Sequence, residues 1–297
     1  MPKISILMAN YNNALYIEES IKSILEQEYK DWELIIVDDC SIDNSVEKIS
    51  KNLGEDRIRF YKNELNQGYI ATLKKMISLS STNILTIVDS DDAINKNALK
   101  TLMKVFLDNP SVGLVYSQNW HCDENLKILK KGYSQALPEG ESNLRNNYIH
   151  HLRAFKKSEY LKTSGYDEDI LYAEDIDIIL KLEEVTEIYF IDKPLYYYRV
   201  LKNSQTHGFR NEMINRSSAA LAKYNAYKRR EMKGLDNLDK NEITFVLFLG
   251  LITSVLSFRV SLFFVFLRGL FKISPFFIFN INFYKQIFLK IKKIKNF

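Results

Sequence analysis

Asp89, Asp91 and Asp92 stand within four residues of one another at the end of an apolar run, Ile84–Val88. Carboxylates this close repel one another unless a cation sits among them. Hard oxygen donors suit Mg²⁺ or Mn²⁺, and such ions usually hold a substrate diphosphate as well. A plainer reading of the same residues is a loop whose acids cap the next helix. Two further acid pairs stand out. Asp38 and Asp39 end the apolar run Trp32–Val37, and Glu174 and Asp175 open the segment YAEDIDIILKL, where Ile176, Ile179 and Leu180 are helically spaced. Negative charge is favoured at a helix N-terminus, so Glu174 and Asp175 need mean no more than that.

Something must carry these acids, and the elements before them read as strand–helix–strand. Ile4–Ala9 and Trp32–Val37 are continuous apolar runs of the kind found in buried parallel strands. The first ends in turn residues, Asn10 to Asn13. Between the two runs, Ile17, Ile21, Ile24 and Leu25 share one helical face behind Glu18 and Glu19. Ser41 or Asp43 can cap the next helix, with Val46 and Ile49 on its face. Ile58–Tyr61 makes a third strand, and Ile70, Leu73 and Ile77 a helix leading to Ile84–Val88. Polar residues at the carboxyl ends of parallel strands are where open α/β sheets bind ligands. No GxGxxG follows the first strand and no GxxxxGK[ST] occurs anywhere, so dinucleotide and P-loop readings lose their main support. Beyond Asp92, Leu99, Leu102, Met103 and Phe106 mark a helix ended by Asn109-Pro110. Strands are expected over Val112–Ser117, His150–Phe155, Glu187–Ile191 and Tyr196–Arg199, and a polar helix over Arg210–Glu231. Gly132–Asn147 has few apolar anchors and reads as a long functional loop.

Composition bounds the class. Hydrophobic residues form 46% and charged residues 26% of the 297, which suits a globular protein with a real core. Two cysteines, Cys40 and Cys122, are too few for a disulfide framework or a cysteine zinc site. The opening MPKISILMAN has no signal-peptide pattern, so a cytosolic, reducing location is expected. Eight of the 41 basic residues but only one of the 37 acidic ones follow Asn241, which leaves residues 1–241 with a net charge of −3. A mildly acidic body with a basic, apolar tail argues against nucleic acid and for a membrane surface. In that tail, residues 243–267 are uncharged apart from Arg259. At about 1.5 Å per residue they could span a bilayer as one helix. A single span from a cytosolic body would, however, put the lysines at 285–295 outside, against the positive-inside tendency. Gly250, Thr253, Ser254, Ser257 and Ser261 also form a small, weakly polar stripe. An interfacial or re-entrant appendage is therefore expected ahead of a spanning helix or a segment packed on the soluble body.

Taken in order, KISILMANYNN, ELIIVDDCSIDNS, LNQGYIATL, TIVDSDD, YAEDIDIILKL and PLYYYR resemble the family 2 glycosyltransferases over about residues 2–206. The resemblance implies a GT-A fold: an α/β domain with a Rossmann-like, mostly parallel sheet flanked by helices. It implies a catalytic domain at 1–206, followed by a helical connector at 207–241 and a hydrophobic, Lys-rich tail at 242–297. It further implies a nucleotide-sugar donor, a UDP-sugar being expected, and transfer to a saccharide or lipid-linked saccharide in surface-polysaccharide synthesis at the cytoplasmic face of the membrane. By the match, Ala9, Tyr11 and Asp39 lie around the nucleobase, with Asn66 and Gly68 in the nearby loop. Asp89 faces the ribose, and Asp91 or Asp92 holds Mg²⁺ or Mn²⁺, with His207 as a further candidate ligand. Asp175 is the catalytic base, with Glu174 and Asp177 next in line, and Arg199 lies near the diphosphate. Thr72-Leu73-Lys74 departs from the Arg or Asn often found in that helix. Two rivals are a sugar-nucleotide pyrophosphorylase, for which Ala9–Asn13 lacks the Gly-rich basic loop, and a nucleotide-sugar-binding protein that has lost catalysis.

Overall fold

The computed structural model describes residues 1, 3–201 and 208–275. The first half of the chain alternates strand and helix: β1 (Ile4–Asn10), α1 (Ile17–Leu25), β2 (Trp32–Asp38), α2 (Ser45–Ser50), β3 (Ile58–Lys62), α3 (Tyr69–Leu79) and β4 (Ile84–Ile87). After it come β5 (Ala93–Ile94), α4 (Ala98–Asp108), β6 (Val112–Cys122), β7 (Ile128–Lys131), β8 (Arg153–Lys156), α5 (Lys157–Tyr160), α6 (Glu174–Glu183) and β9 (Glu187–Arg199). Three helices close the described chain: α7 (Phe209–Lys233), α8 (Lys240–Leu256) and α9 (Val260–Ile273). Two compact units result. One comprises Met1–Glu168 with Lys181–Lys202, and the other Asp169–Leu180 with Asn203–Phe297. Residues 169–180 thus group with the C-terminal helices instead of with the rest of residues 1–206.

The first unit holds a nine-stranded sheet in the order β3-β2-β1-β4-β8-β6-β9-β5, with β7 paired to β6. Its first four strands are parallel, as continuous apolar runs require. All seven residues of β2 are buried, and so are six of the seven in β1. Alternation along the strands sends Ile4, Ile6, Met8, Leu34 and Ile36 into one cluster with Ile17, Ile21 and Ile24 of α1 and Leu99, Leu102 and Met103 of α4. α3 packs on β1 and β2 with Ile70, Leu73, Met76 and Ile77 buried. The other half of the sheet is mixed, with β8 antiparallel to both β4 and β6, and β9 parallel to β6. β8 begins at Arg153, three residues later than the apolar pattern suggests. β9 is one strand across both expected pieces, and its register shifts where Pro194 cannot donate to the ladder. Residues 132–147 form no regular element, yet they are tied down. Gln135 accepts from the Tyr116 hydroxyl at 2.6 Å, and Glu183 accepts from Ser142 and from the Asn143 N–H.

In the second unit α7 ends at Gly234, whose φ of 65° suits a glycine after a helix C-terminus. Asp239 and Glu242 form a capping box that starts α8. The 25-residue apolar stretch is not one helix. It breaks at Ser257–Arg259, where Phe258 takes a positive φ of 59° and Arg259 donates to the hydroxyls of Ser217 and Ser218 and to the Asp169 carbonyl. Of the small-residue stripe, Gly250 lies where α8 and α9 meet, while Ser261 is exposed. A Cβ on Gly250 would lie 2.7 Å from the Phe266 ring, so only glycine permits this approach. The hydroxyls of Thr244, Thr253, Ser254 and Ser257 bond carbonyls of their own helix, which hides their polarity inside the packing. Among the described residues no helix is long and apolar enough to cross a membrane.

Candidate active site at the carboxyl ends of the parallel strands

Strand order reverses between β1 and β4, because the chain runs β1-β2-β3 to one side and then returns to place β4 on the other. A crevice forms beyond the carboxyl ends of strands at such a point, and ligands of open α/β sheets bind there. Two segments meet in this crevice, the turn after β1 and the acidic turn after β4, and Asn13 joins them by donating to the Ser90 hydroxyl at 2.8 Å.

On one side lie the residues expected around a nucleobase. Ala9 is half-buried at the end of β1, opposite Val37 of β2, and Tyr11 just beyond it is 43% exposed. Asp38 and Asp39 at the end of β2 have separate tasks. Asp38 is fully buried and accepts from Asn10 and from the backbone and hydroxyl of Ser41, which holds the two turns together. Asp39 accepts from the Asn63 side chain at 2.8 Å and from the backbone N–H groups of Gln67 at 2.9 Å and Gly68 at 2.8 Å. It therefore clamps the loop after β3. Asn66 is exposed in that loop and accepts from Gly68, whose φ of 86° favours glycine.

On the other side the three acids are not equivalent. β5 begins at Ala93 and pairs with Tyr197 of β9, so the turn Asp89–Asp92 is tight, with Asp92 N–H bonded to the Asp89 carbonyl at 3.1 Å. Asp92 is 1% exposed, and its Oδ1 accepts from the Arg199 N–H at 2.6 Å. Burial, reinforced by the charges of Asp91 and Asp89, pushes its carboxyl well above the usual range. Asp91 is pushed up to about 6, chiefly by burial and then by Asp89. Asp89 keeps 27% of its side chain exposed and accepts from Tyr69 at 3.2 Å and Tyr196 at 3.5 Å. Asp89 and Asp91 are thus the two carboxylates with room for a ligand. The charge of Asp89 is close enough to help raise Asp91, while Arg199 acts in the opposite direction.

Arg199 is buried. Its guanidinium pairs with Glu19, donates to the Asp91 carbonyl at 2.8 Å and lies over the Tyr16 ring at 4.6 Å. It braces the acidic turn against α1. Asp175 is the second residue of α6, in the other unit, where its Oδ1 accepts from the Ile176 N–H, and Glu174 and Asp177 share the first turn. His207 lies outside the described residues.

Sequence reasoning passed over several residues here. Tyr196 hydroxyl accepts from the Asp89 N–H at 3.1 Å, and Ser20 donates to the Asp89 carbonyl at 3.0 Å. Three of the four histidines cluster behind the acids: His121 lies near His150, His150 meets His151 edge-on at 4.5 Å, and His151 stacks on Tyr196 at 4.6 Å. His151 Nε2 is 3.8 Å from Asp89 Oδ2. Burial, then Arg153, holds His151 well below its ordinary pKa and lowers His150 to about 3, so both are neutral and the contact is not an ion pair. The available signal was YYY in β9, which alternates Tyr196 and Tyr198 onto the His151 side. No group of three or more His, Cys, Asp or Glu side chains among the described residues could hold a metal. A divalent ion fits here only in the manner of Mg²⁺ or Mn²⁺ bound by one or two carboxylates together with substrate phosphates.

A reversed-order sheet with paired acids at its switch point is the GT-A arrangement, and solved structures of that fold superpose on this chain. Residues 1–349 of TarS from Staphylococcus aureus, in complex with UDP, align at TM-score 0.62 with 18% identity over 82% of this chain and 70% of that one. A mannosyltransferase from Pyrobaculum calidifontis, in complex with GDP-Man and Mn²⁺, aligns at 0.57 with 16% identity over 98% and 80%. The chain belongs to glycosyl transferase family 2, whose family model matches residues 5–161. It is 30% identical over 207 residues to a chondroitin synthase of Pasteurella multocida (strain Pm70), covering 69% of this chain and 21% of that protein. It is 28% identical over 210 residues to the putative colanic acid biosynthesis glycosyl transferase WcaA of Escherichia coli (strain K12), covering 64% and 73%. The chain thus spans about a fifth of the length of the synthase.

Proposed function

We propose that this chain transfers a sugar from a nucleoside-diphosphate donor, a UDP-sugar expected, to a hydroxyl of a saccharide or lipid-linked saccharide during cell-surface polysaccharide synthesis. The observation that carries the reading is the pair of carboxylates, Asp89 and the partly buried Asp91, whose charges repel at the switch-point crevice opposite the Asp39 clamp. Relatives named for polysaccharide synthesis, and neighbours solved with UDP or with GDP-Man and Mn²⁺, support it.

The chain's residues divide the work as follows. Tyr11 and the loop held by Asp39 receive the nucleobase, with Ala9, Asn66 and Gly68 shaping its slot. Asp89 accepts a ribose hydroxyl. Asp91 is the acid that would hold Mg²⁺ or Mn²⁺, because Asp92 is buried and occupied by Arg199. The ion would supply positive charge for the leaving diphosphate. Arg199 acts here by bracing Asp91 and Asp92. Asp175 takes the proton of the acceptor hydroxyl, and a base on the face opposite the leaving group gives inversion. A thermal-shift screen of nucleotide sugars should show stabilisation with Mn²⁺ that is lost in EDTA, since ligands binding only the folded state raise apparent stability. Product formation should likewise stop in EDTA and return with Mg²⁺ or Mn²⁺. Undiminished transfer in EDTA would remove the metal from the mechanism.

The same reading places the protein on the cytoplasmic face of the membrane through its C-terminal tail. Supporting it are Val255, Phe258 and Val260, 54%, 80% and 66% exposed around the α8–α9 corner, and the five lysines at 285–295. High salt should release part of the membrane-bound protein and detergent the rest, because lysine attraction is screened and apolar burial is not. Recovery of all the protein in the soluble fraction at low salt would rule this out.

A further inference from the structure

The helical unit contains a cavity of about 270 Å³ lined by Tyr224, Tyr227, Lys228, Glu231, Lys240 and Lys272 among others. Its lysines come from three helices. Lys228 sits late in α7, Lys240 is the first residue of α8, and Lys272 lies in the last turn of α9. The close packing of α8 on α9 brings the start of one and the end of the other to the same end of the hairpin, where α7 meets them.

None of the three lysines is ion-paired to a described carboxylate. Neither 202–207 nor the sequence after Glu242 contains an acid that could serve. One glutamate, Glu231, therefore faces three ammonium groups. Three like charges outnumber this single counter-charge and disfavour one another, and Lys228, though surface-exposed, is lowered by partial desolvation, then by Arg229 and Lys272. Lys228 Nζ is held 4.6 Å over the Tyr224 ring, which orients it. Burial raises the phenols of Tyr224 and Tyr227, so both remain hydrogen-bond donors. Three ammonium groups and two phenols around one volume match an anion with several acceptor oxygens.

We propose that the cavity between Lys228, Lys240 and Lys272 binds a phosphate-bearing ligand, a phosphomonoester or diphosphate group, separately from the crevice at Asp89 and Asp91. The group can belong to a soluble molecule or to a lipid headgroup, and two probes separate these. Full-length protein is titrated with inorganic pyrophosphate in EDTA, which keeps any metal-dependent binding at the aspartates out of the signal. It is also sedimented with vesicles of phosphatidylglycerol in phosphatidylcholine. Lys228→Met/Lys272→Met should bind the responsive probe at least about tenfold more weakly, as expected for loss of charged hydrogen bonds. Lys228→Arg/Lys272→Arg should bind it as the unaltered protein does. A lysine-dependent response to pyrophosphate assigns a soluble phosphate, and one to vesicles alone assigns a headgroup. The basic tail can bind vesicles unaided, so only the dependence on these lysines counts. Donor binding with Mn²⁺ should be equal in all variants, which separates this site from the proposed transferase site. If the methionine variant fails to fold, Lys240→Gln, an exposed change, serves in its place. Equal binding of both probes with and without the lysines overturns the proposal.

Discussion

Asp91→Asn is expected to make the ligand-free protein more stable and to stop sugar transfer. The stability effect follows from burial and from Asp89, which together raise Asp91 to about 6. A carboxyl raised on folding binds its proton more tightly in the native state. Stability is then lost as pH rises from about 4 to about 6, and the full penalty persists at neutral pH. A shift from 3.8 to about 6 corresponds to about 2–3 kcal/mol at pH 7. Asparagine has no charge to bury and keeps the side chain's size, so the ligand-free variant should melt several degrees higher at pH 7. At pH 4 the two proteins should melt nearly together. Transfer should fall by about a thousandfold, the loss expected when an electrostatic contributor to the transition state is removed. A variant no more stable at pH 7 than the unaltered protein would show that the penalty is absorbed elsewhere. Unimpaired transfer would move the metal to another ligand.

Asp175→Asn should leave donor binding intact while transfer falls by about 10²–10⁴. Asparagine retains an oxygen to accept from the Ile176 N–H, so the first turn of α6 keeps its local bond. What it loses is the capacity to take a proton. The measurement is a pair of titrations, donor affinity with Mn²⁺ and initial rate at saturating donor. An unchanged rate would pass the role to Glu174 or Asp177. A fall in donor affinity equal to the fall in rate would mean that Asp175 binds and does not act as a base.

The parallel half of the sheet was legible because β1 and β2 are buried on both faces, and such strands leave an unbroken apolar run. The acids at the ends of β2 and β4 were legible for the same reason, since polar residues following such a run mark the strand end. What separates Asp91 from Asp92 was not. That difference depends on the Arg199 N–H reaching Asp92 from 107 residues away, and only the β5–β9 pairing creates it. The histidine cluster escaped notice because His121 and the pair His150-His151 meet only once β6 and the segment before β8 are side by side. In the tail, hydropathy showed a stretch long enough for one helix, while the break at Phe258 comes from backbone geometry and from Arg259 reaching Ser217, Ser218 and Asp169. The small-residue stripe was visible, but its partner, Phe266 against Gly250, was not.

The Asp39 clamp bears on any attempt to change which donor is accepted. An ionised carboxylate offers about four lone-pair directions, and three hydrogen bonds from Asn63, Gln67 and Gly68 already fall on this one. Little of Asp39 is left to read a base. An amide there would turn its NH2 toward the Gln67 or the Gly68 backbone N–H, whichever oxygen it replaced, and distort the loop before it altered any preference. Redesign of base selectivity should therefore begin at Tyr11 and Asn66, whose side chains are exposed, and keep Asp39 as the fixed frame that holds their surroundings in register.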